Sequence, residues 1–311
     1  MLSPWLMDES QSTGGSHRQT DSGFGEESGG ILYIVSTPIG NLADISFRAV
    51  DILKFADFIA AEDTRQTARL LAHYNIRGRL ISCHEHNEQE KSAFISEKLR
   101  HGASVALVSD AGTPTVSDPG YRVVTAAVEA GVRVVPIPGV SAAVAALSAS
   151  GLPSDQFCFF GFLPKKKGRR EQMLQRMSDS EGTLIFYESP KRLRGLLDAL
   201  LENLGDRYAV IAREMTKVHE EFIRGPISAL INEMAGRPAV KGEVTLLVSG
   251  KVDAGSDSEE IPETAVEEIK AALLSGEVSA SALAARLSNA LHIPKNRIYK
   301  HILSIKAELV K

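Results

Sequence analysis

The stretch ILYIVSTPIGN at residues 31–41 decides the fold, because a short apolar run ends there in a turn that contains proline and glycine. The run suits one buried strand, and the turn leads into a helix with apolar residues at helical spacing. Those residues are Ile45, Ala49, Ile52 and Leu53. Asp44 is predicted to cap this helix. The same alternation of strand and helix continues to about Gly151 and predicts an α/β fold with a largely parallel sheet, covered by helices on both faces.

A second α/β region follows. Its strands are predicted at residues 157–164, 182–189, 207–214, 220–225 and 242–250. Little helix fits between the third and fourth of these strands, so this sheet is predicted to be mixed and partly antiparallel. Ser189 and Pro190 indicate a helix start, with a capping hydroxyl and a proline in the first turn.

The composition changes along the chain predict five parts. They are a disordered polar leader at 1–30, an N-terminal α/β subdomain at 31–151, a C-terminal α/β subdomain at 152–250, a linker at 251–263 and a small helical domain at 264–311. The leader lacks the apolar core of a signal peptide, and no apolar run reaches the length of a membrane span.

Composition sets limits on the class of protein. A hydrophobic share of 43% over 311 residues suits a soluble protein with buried cores, and a net charge of -4 gives no overall basic character. The two cysteines, Cys83 and Cys158, have no metal-ligand spacing, which favours a reducing cytoplasm and argues against zinc. His84 and His86 flank Glu85, but no third ligand is evident, so we expect no metal, and an RNA contact or a plain surface loop is the preferred interpretation there.

Three turns rich in glycine and proline follow predicted strands, at 37–41, 110–114 and 136–141. Each alone is typical of an ordinary turn, but three at successive strand ends favour a shared ligand pocket. The motifs GxxxxGK[ST], GxGxxG and GxSxG are absent, which argues against an NTPase, a nicotinamide enzyme and a hydrolase.

Eight motifs in order carry a family resemblance. They are STPIGNLADIS (36–46), AAEDTRQTARLL (60–71), VSDAGTPTVSDPG (108–120), PIPGVSA (136–142), FFGFLP (159–164), FYESPKRL (186–193), AREMTKVHEE (212–221) and KGEVTLLV (241–248). Together they resemble the bacterial 16S ribosomal RNA cytidine 2′-O-methyltransferases, members of the tetrapyrrole-methylase fold group. The resemblance covers residues 31–250, and the helical tail is similar to that family's C-terminal helix-turn-helix-like domain.

The resemblance implies a two-lobed tetrapyrrole-methylase-like fold that binds S-adenosyl-L-methionine in a cleft between the lobes and assembles as a homodimer. The cofactor-binding residues that it implies are Pro38, Asp110, Gly112, Thr113, Ser141, Ala142, Tyr187, Met215, Glu243 and Thr245. Backbone amides would hold the adenine and the carboxylate, and apolar walls would surround the thioether arm.

Methyl transfer to a ribose hydroxyl calls for a base or for a cation that stabilises the developing alkoxide. Charged residues collect at predicted strand ends and supply the candidates: Glu62, Asp63, Arg65, Glu188, Arg213, Glu214 and Lys217. We predict Asp63, Glu214, Lys217 and Arg65 as the catalytic group, with Asp63 or Glu214 as the base. For each of the seven candidates, a structural ion pair is an equally good alternative.

Two basic patches predict RNA contacts. One is the run Lys165, Lys166, Lys167, Arg169 and Arg170, and the other lies in the tail and includes Lys295, Arg297 and Lys300. The alternatives are a solvated face for the run and a packed or dimer-stabilising bundle for the tail. Leu283, Leu287, Leu291, Ile298, Ile302 and Ile305 are predicted to form the core of the tail.

The combined prediction is a cytoplasmic enzyme that 2′-O-methylates a cytidine, cytidine 1402, in the decoding region of 16S rRNA within the 30S subunit. One alternative is a methyltransferase of the same fold that acts on a small tetrapyrrole precursor, and the basic patches argue against it. The other is a catalytically idle RNA-binding protein, which would be expected to have a spoiled donor pocket. Nothing in the sequence indicates a membrane partner.

Overall fold

A computed structural model describes residues 29–237, 242–251, 261–275, 280–291, 293, 298, 301, 302 and 305. The chain packs as two units: the first runs to Thr37 and resumes over Ile45–Gly139, and the second contains Pro38–Asp44 and Val140–Lys311. The residues 1–28 of the predicted leader and most of the predicted linker lie outside the described residues. Within the described part, no helix is both long and apolar enough to span a bilayer.

The first unit contains a five-stranded sheet. Its strands are β1 (Ile31–Val35), β2 (Phe58–Ala61), β3 (Leu80–Ser82), β4 (Ser104–Val108) and β5 (Arg133–Ile137). They lie in the order β3-β2-β4-β1-β5, and every pairing is parallel. The prediction of a parallel sheet is confirmed. The order makes β4, β1 and β5 neighbours, so the loops that follow them leave from one edge of the sheet.

Helices cover both faces of this sheet. They are α1 (Phe47–Phe55), α2 (Thr64–His73), α3 (Glu88–Arg100) and α4 (Tyr121–Glu129). Leu53 of α1 and Leu71 of α2 belong to the core cluster on one face, and Ile95 of α3 and Val123 of α4 belong to the cluster on the other. Buried strands with apolar residues on both sides require such a sandwich.

The predicted cap of α1 is wrong. Asp44 ends a short 3-10 turn, Leu42–Asp44, and the cap is Ser46, whose Oγ accepts a hydrogen bond from the Ala49 amide at 3.1 Å. Aspartate and serine both suit a helix N-terminus, and the extra turn moves the start of the helix by two residues.

The second unit contains a mixed sheet, as predicted. Its strands are β6 (Phe157–Phe162), β7 (Thr183–Glu188), β8 (Tyr208–Arg213), β9 (Glu221–Pro226) and β10 (Val244–Val248). They lie in the order β6-β7-β10-β8-β9. The pair β6 and β7 is parallel, whereas β7 with β10, β10 with β8 and β8 with β9 are antiparallel.

Four helices cover this second sheet. They are α5 (Ala142–Ser150), α6 (Lys167–Met177), α7 (Pro190–Leu204) and α8 (Ile227–Ala235). Ala146 and Leu147 of α5 pack on one face, and residues of α6, α7 and α8 form the core on the other. Sequence reasoning missed α8, although Pro226 directly precedes it and its apolar residues are spaced as in an amphipathic helix. The helix α7 starts where predicted, but the Ser189 hydroxyl makes no capping bond.

The tail forms a small core of its own around α9 (Glu263–Ser275) and α10 (Ala280–Leu291). The predicted tail core is confirmed, since Leu283, Leu287, Ile298, Ile302 and Ile305 are buried in one cluster and Leu291 packs against it.

Candidate active site

The loops after β1 and β4 are bonded to each other within the first unit. The Thr37 amide donates to the Gly112 carbonyl at 2.8 Å, and the Gly112 amide donates back to the Thr37 carbonyl at 3.0 Å. The hydroxyls of Ser36 and Thr113 lie 2.9 Å apart. The Ser36 amide also donates to the Ile137 carbonyl at the end of β5. These contacts hold the three glycine- and proline-bearing turns at one edge of the sheet.

The loop after β4 has unusual backbone conformations. Gly112 has a φ of +81°, in the left-handed region that glycine tolerates. Thr115 and Ser117, three and five residues on, also have positive φ, 72° and 67°. Such conformations cost free energy in residues with side chains and concentrate at functional sites.

Asp110 connects this loop to the loop after β2. Its Oδ1 accepts from the Asp63 amide at 2.9 Å, and its Oδ2 accepts from the Gln66 side chain at 3.3 Å. The Asp110 amide in turn donates to Glu62 at 3.5 Å. Asp110 therefore positions the start of α2 within the first unit.

Asp63 caps α2 and pairs with Arg65. Its Oδ1 accepts from the Arg65 amide at 2.8 Å, and its Oδ2 lies 2.8 Å from the Arg65 guanidinium. Hydrogen bonds from the Arg65 side chain, and then from its amide, lower the pKa of Asp63 to about 2. This predicted base is therefore a weak one.

Glu62 and Asp118 have the opposite electrostatic environment. Burial, followed by repulsion from Asp110, raises the pKa of Glu62. Burial, followed by repulsion from Glu62, raises the pKa of Asp118 to about 6. Sequence reasoning missed Asp118, although it stands in the SDPG segment that ends the motif at 108–120.

In the second unit, several predicted donor-binding residues meet in one apolar cluster. Ala142, Tyr187 and Met215 pack there, together with Ile39, which follows the buried Pro38. The Tyr187 hydroxyl accepts a hydrogen bond from the Ala143 amide at 3.1 Å, in the first turn of α5. Thr245 is paired with Tyr187 across β10 and β7 and is 3% exposed. Ser141 is the N-cap residue of α5 and makes no side-chain capping bond.

Lys217 lies between two carboxylates. Its Nζ is 2.9 Å from Glu214 Oε1 and 2.9 Å from Glu243 Oε2. Burial disfavours the ammonium ion, but the hydrogen bonds to the two glutamates outweigh it and raise the pKa of Lys217. The hydrogen bond from Lys217 lowers the pKa of Glu214, so this second predicted base is also weak.

The same loop is strained and holds the turn at 37–41. Glu214 and Thr216 have positive φ values of 50° and 67°. The Thr216 hydroxyl accepts a hydrogen bond from the Asn41 amide at 3.0 Å. The strained loop thus fixes part of the turn that follows β1.

Glu188 is buried and forms an ion pair that stabilises the fold. Its side chain is 1% exposed and pairs with Arg192 at 3.0 Å, and it accepts a hydrogen bond from the Ser189 amide at 2.7 Å. Arg192 also donates to the Leu163 carbonyl at 2.9 Å. This network ties the start of α7 to the end of β6, which is the ion-pair alternative that we considered for Glu188.

The predicted basic run begins just after β6 and extends into the first turn of α6. Lys165, Lys166, Lys167 and Arg169 are exposed, and Lys167 lies 3.5 Å from Glu171. Arg170 is half-buried, and its Nε has no hydrogen-bond partner. The tail residues Lys295, Arg297 and Lys300 lie outside the described residues.

His84 and His86, after β3, make an edge contact, with ring centroids 6.0 Å apart and an interplanar angle of 69°. Among the described residues, no three histidine, cysteine, aspartate or glutamate side chains lie close enough together to hold a metal ion.

The residues present suit S-adenosyl-L-methionine. Ala142 and Tyr187 are partly exposed at the edge of the buried cluster that contains Met215, and they offer an apolar surface for an adenine ring and a thioether. The loop at Gly112 has no side chain at the point where its backbone turns, which permits close approach by a ligand.

Comparison with known proteins agrees with this architecture. The family description "Tetrapyrrole (Corrin/Porphyrin) Methylases" matches residues 31–231. A protein of Escherichia coli O157:H7 named ribosomal RNA small subunit methyltransferase I is 46% identical over 92% of this chain and 98% of its own length. One of the same name from Halalkalibacterium halodurans is 51% identical over 71% of this chain and 76% of its own.

A solved structure supports the fold. The methyltransferase CobJ superposes with a TM-score of 0.55 at 20% identity, over 71% of this chain and 94% of that one. At this identity the likeness concerns the fold alone. The matched residues and the curated relatives establish that the chain belongs to the tetrapyrrole methylase family and, within it, to the group of the ribosomal RNA small subunit methyltransferases I.

Proposed function

We propose that this protein transfers a methyl group from S-adenosyl-L-methionine to the 2′-hydroxyl of cytidine 1402 in 16S rRNA. The observation that carries the proposal is the similarity to ribosomal RNA small subunit methyltransferases I along nearly the whole chain, including 46% identity over 92% of it. The relatives' shared name supports small-subunit rRNA as the class of substrate. The cytidine and its 2′-hydroxyl rest on the motifs at 36–248.

We propose the following donor-binding residues, taken one unit at a time. In the first unit, Asp110, Gly112 and Thr113 lie in a loop that is hydrogen-bonded to the loop after β1. In the second unit, Ala142, Tyr187 and Met215 lie in the apolar cluster, Ser141 precedes Ala142, and Thr245 is paired with Tyr187. Pro38 and Glu243 complete the proposed set. When bound, the donor supplies an electrophilic methyl group on its sulfonium, and the protein supplies alignment.

The chain's own charges would act on the acceptor hydroxyl. Lys217 and Arg65 are cations that would stabilise the developing alkoxide, each held in place by a carboxylate. Asp63 and Glu214 remain the proposed proton acceptors. Their lowered pKa values imply that they would act on a hydroxyl whose own acidity is raised by the neighbouring cation.

The phosphates of the RNA would be neutralised by the exposed side chains of Lys165, Lys166, Lys167 and Arg169, by the half-buried Arg170 and by the basic tail. We further propose that the protein works as a homodimer in the cytoplasm and acts on RNA within the 30S subunit. No metal takes part in this reaction scheme.

The experiment is an incubation of the protein with tritiated S-adenosyl-L-methionine and small subunits from a strain that lacks the enzyme, followed by mapping of 2′-O-methyl groups. Label at a single cytidine ribose is expected. Binding of the donor, measured by calorimetry, without any label in RNA would overturn the ribosomal substrate and leave a methyltransferase that acts on a small molecule. Failure to bind the donor would leave an idle RNA-binding protein.

A further inference from the structure

Phe162 is an exposed aromatic residue at the end of β6, beside predicted donor-binding residues. It is 56% exposed, although phenylalanine is a side chain that folding normally buries. The ring lies 5.7 Å from that of Tyr187, at an interplanar angle of 62°. An edge contact of this kind leaves much of the Phe162 ring open to a ligand.

A β-bulge places Phe162 on this side of the sheet. Phe159 is paired with Ile185, but Gly161 is paired with Phe186 and Phe162 with Tyr187, so Phe160 is the extra residue. Gly161 takes a φ of +59° at this point. Bulges of this kind turn a side chain towards a new direction and are frequent beside active sites.

The consequence of the bulge follows from the alternation of side chains. Ile185 and Tyr187 point to the face of the sheet that α5 covers, and Phe159 packs on that face too. In a regular strand, Phe162 would share the other face with Phe160, which stacks on Phe186 in the buried core. The extra residue instead places Phe162 on the face of Tyr187.

The residues that adjoin Phe162 are themselves held in place. Tyr187 is braced by Phe159, with ring centroids 4.9 Å apart, and by the Ala143 amide. Leu163, the next residue after Phe162, is 2% exposed, and its carbonyl accepts a hydrogen bond from Arg192. A ring supported in this way loses little conformational freedom when a ligand stacks on it.

The positive charge of the residues that follow Phe162 favours a ligand that carries phosphates. Four exposed cations, Lys165, Lys166, Lys167 and Arg169, begin three residues after Phe162. An exposed aromatic ring next to cations is the combination that binds unpaired nucleotides, since the ring stacks on the base and the cations neutralise the phosphates. The adenine of the methyl donor is uncharged and does not account for a row of cations beside the ring.

We infer that Phe162 is a positioning residue that stacks on an unpaired base of the RNA substrate and so orients the nucleotide that receives the methyl group. The inference rests on the proposed function, because it requires an RNA substrate.

The test compares Phe162→Ala with Phe162→Tyr and Phe162→Trp, and uses Phe157→Ala as the matched control. Phe157 is 45% exposed and lies at the opposite end of the same strand. With small subunits as the varied substrate, Phe162→Ala should lower kcat/KM by about 5- to 150-fold, the range that loss of one stacked base gives. The donor dissociation constant should stay unchanged. The tyrosine and tryptophan variants should recover most of the activity, and Phe157→Ala should behave as wild type.

A direct signal comes from fluorescence. The only tryptophan in the sequence is Trp5, so Phe162→Trp combined with Trp5→Phe places a single indole at the site. A short single-stranded oligocytidine should quench it saturably, whereas a tryptophan at position 157 in the same background should not respond.

Three results would overturn the inference while wild-type protein still labels RNA. The first is full activity of Phe162→Ala. The second is a loss of donor affinity in Phe162→Ala as large as its loss of kcat/KM, and the third is a change in the oligomeric state of Phe162→Ala, measured by light scattering. The second would place the ring against the donor, and the third would place it in a protein contact. Absence of label with wild-type protein would instead overturn the proposed function itself.

Discussion

Replacing Asp118 by asparagine is expected to make the protein more stable at neutral pH. Burial, and then repulsion from Glu62, raises the pKa of Asp118 from 3.8 to about 6. The fold therefore favours the protonated carboxyl over the charged one. Asparagine has nearly the same shape and stays neutral, so it removes the unfavourable charge without leaving a cavity.

The size of this effect follows from the two pKa values. When the pKa of a carboxyl is higher in the folded protein than in the unfolded chain, the free energy of unfolding falls as the pH rises towards and through the folded value. A rise from 3.8 to about 6 corresponds to about 3 kcal/mol at pH 7.5 and to about half of that at pH 5. The gain in the free energy of unfolding on Asp118→Asn should therefore shrink as the medium becomes more acidic.

The assay is urea unfolding of both proteins at pH 7.5 and pH 5. Asp57→Asn serves as the control, because Asp57 accepts hydrogen bonds from the Ser104 amide and hydroxyl at 2.8 and 2.7 Å, which lower its pKa. That change should destabilise the protein by a similar amount at both pH values, since Asp57 is charged at each. Equal stability of wild type and Asp118→Asn at pH 7.5, or a gain that does not depend on pH, would refute the reasoning.

Three further predictions concern other parts of the structure. Gly112→Val should abolish donor binding in calorimetry and cost at least about 1–2 kcal/mol of stability, because valine disfavours the φ of +81°; unchanged donor affinity would contradict the assigned loop. Glu188→Gln should lower the free energy of unfolding by about 1–3 kcal/mol, measured in urea, because Arg192 loses its charged partner; a neutral effect would argue against a structural role. Alanine at Lys165, Lys166, Lys167 and Arg169 together should weaken RNA binding and reduce the slope of log affinity against log salt by about 3, checked by titration at several salt concentrations. An unchanged slope would mean that the run is only a solvated face.

Local pattern was sufficient to predict most of the secondary structure. The strand at 31–35 and the helix at 64–73 each have the apolar period of their own element, so their existence did not depend on distant residues. The cap at Ser46 was missed because Asp44 satisfies the same local rule two residues earlier. The packing of Pro38–Asp44 with the second unit depends on partners such as Thr216, far away in sequence, and no local pattern encodes it.

For the candidate site, the sequence predicted the turns, but it did not predict the partners of the charged residues. Three turns at strand ends were visible in sequence, because glycine and proline mark turns wherever they occur. Their adjacency depends on the strand order β4-β1-β5, which follows from the way the strands pair. The bulge that turns Phe162 outward likewise depends on the register of β6 against β7, which the motif FFGFLP alone does not reveal.

The charged residues at the strand ends fall into two groups once their partners are known. Asp63 and Glu214 each bind a cation, and the hydrogen bonds from those cations stabilise the ionised carboxylates. Glu62, after β2, and Asp118, in the loop after β4, are half-buried carboxyls whose neutral forms the fold favours, because of burial and because nearby negative charges repel them. A base near neutral pH works best with a pKa close to the pH of the medium, which Asp118 approaches and Asp63 does not. Asp63 and Glu214, the proposed proton acceptors, therefore depend on a neighbouring cation to make the acceptor hydroxyl more acidic, and the pH dependence of Asp118→Asn tests the electrostatics on which this distinction depends.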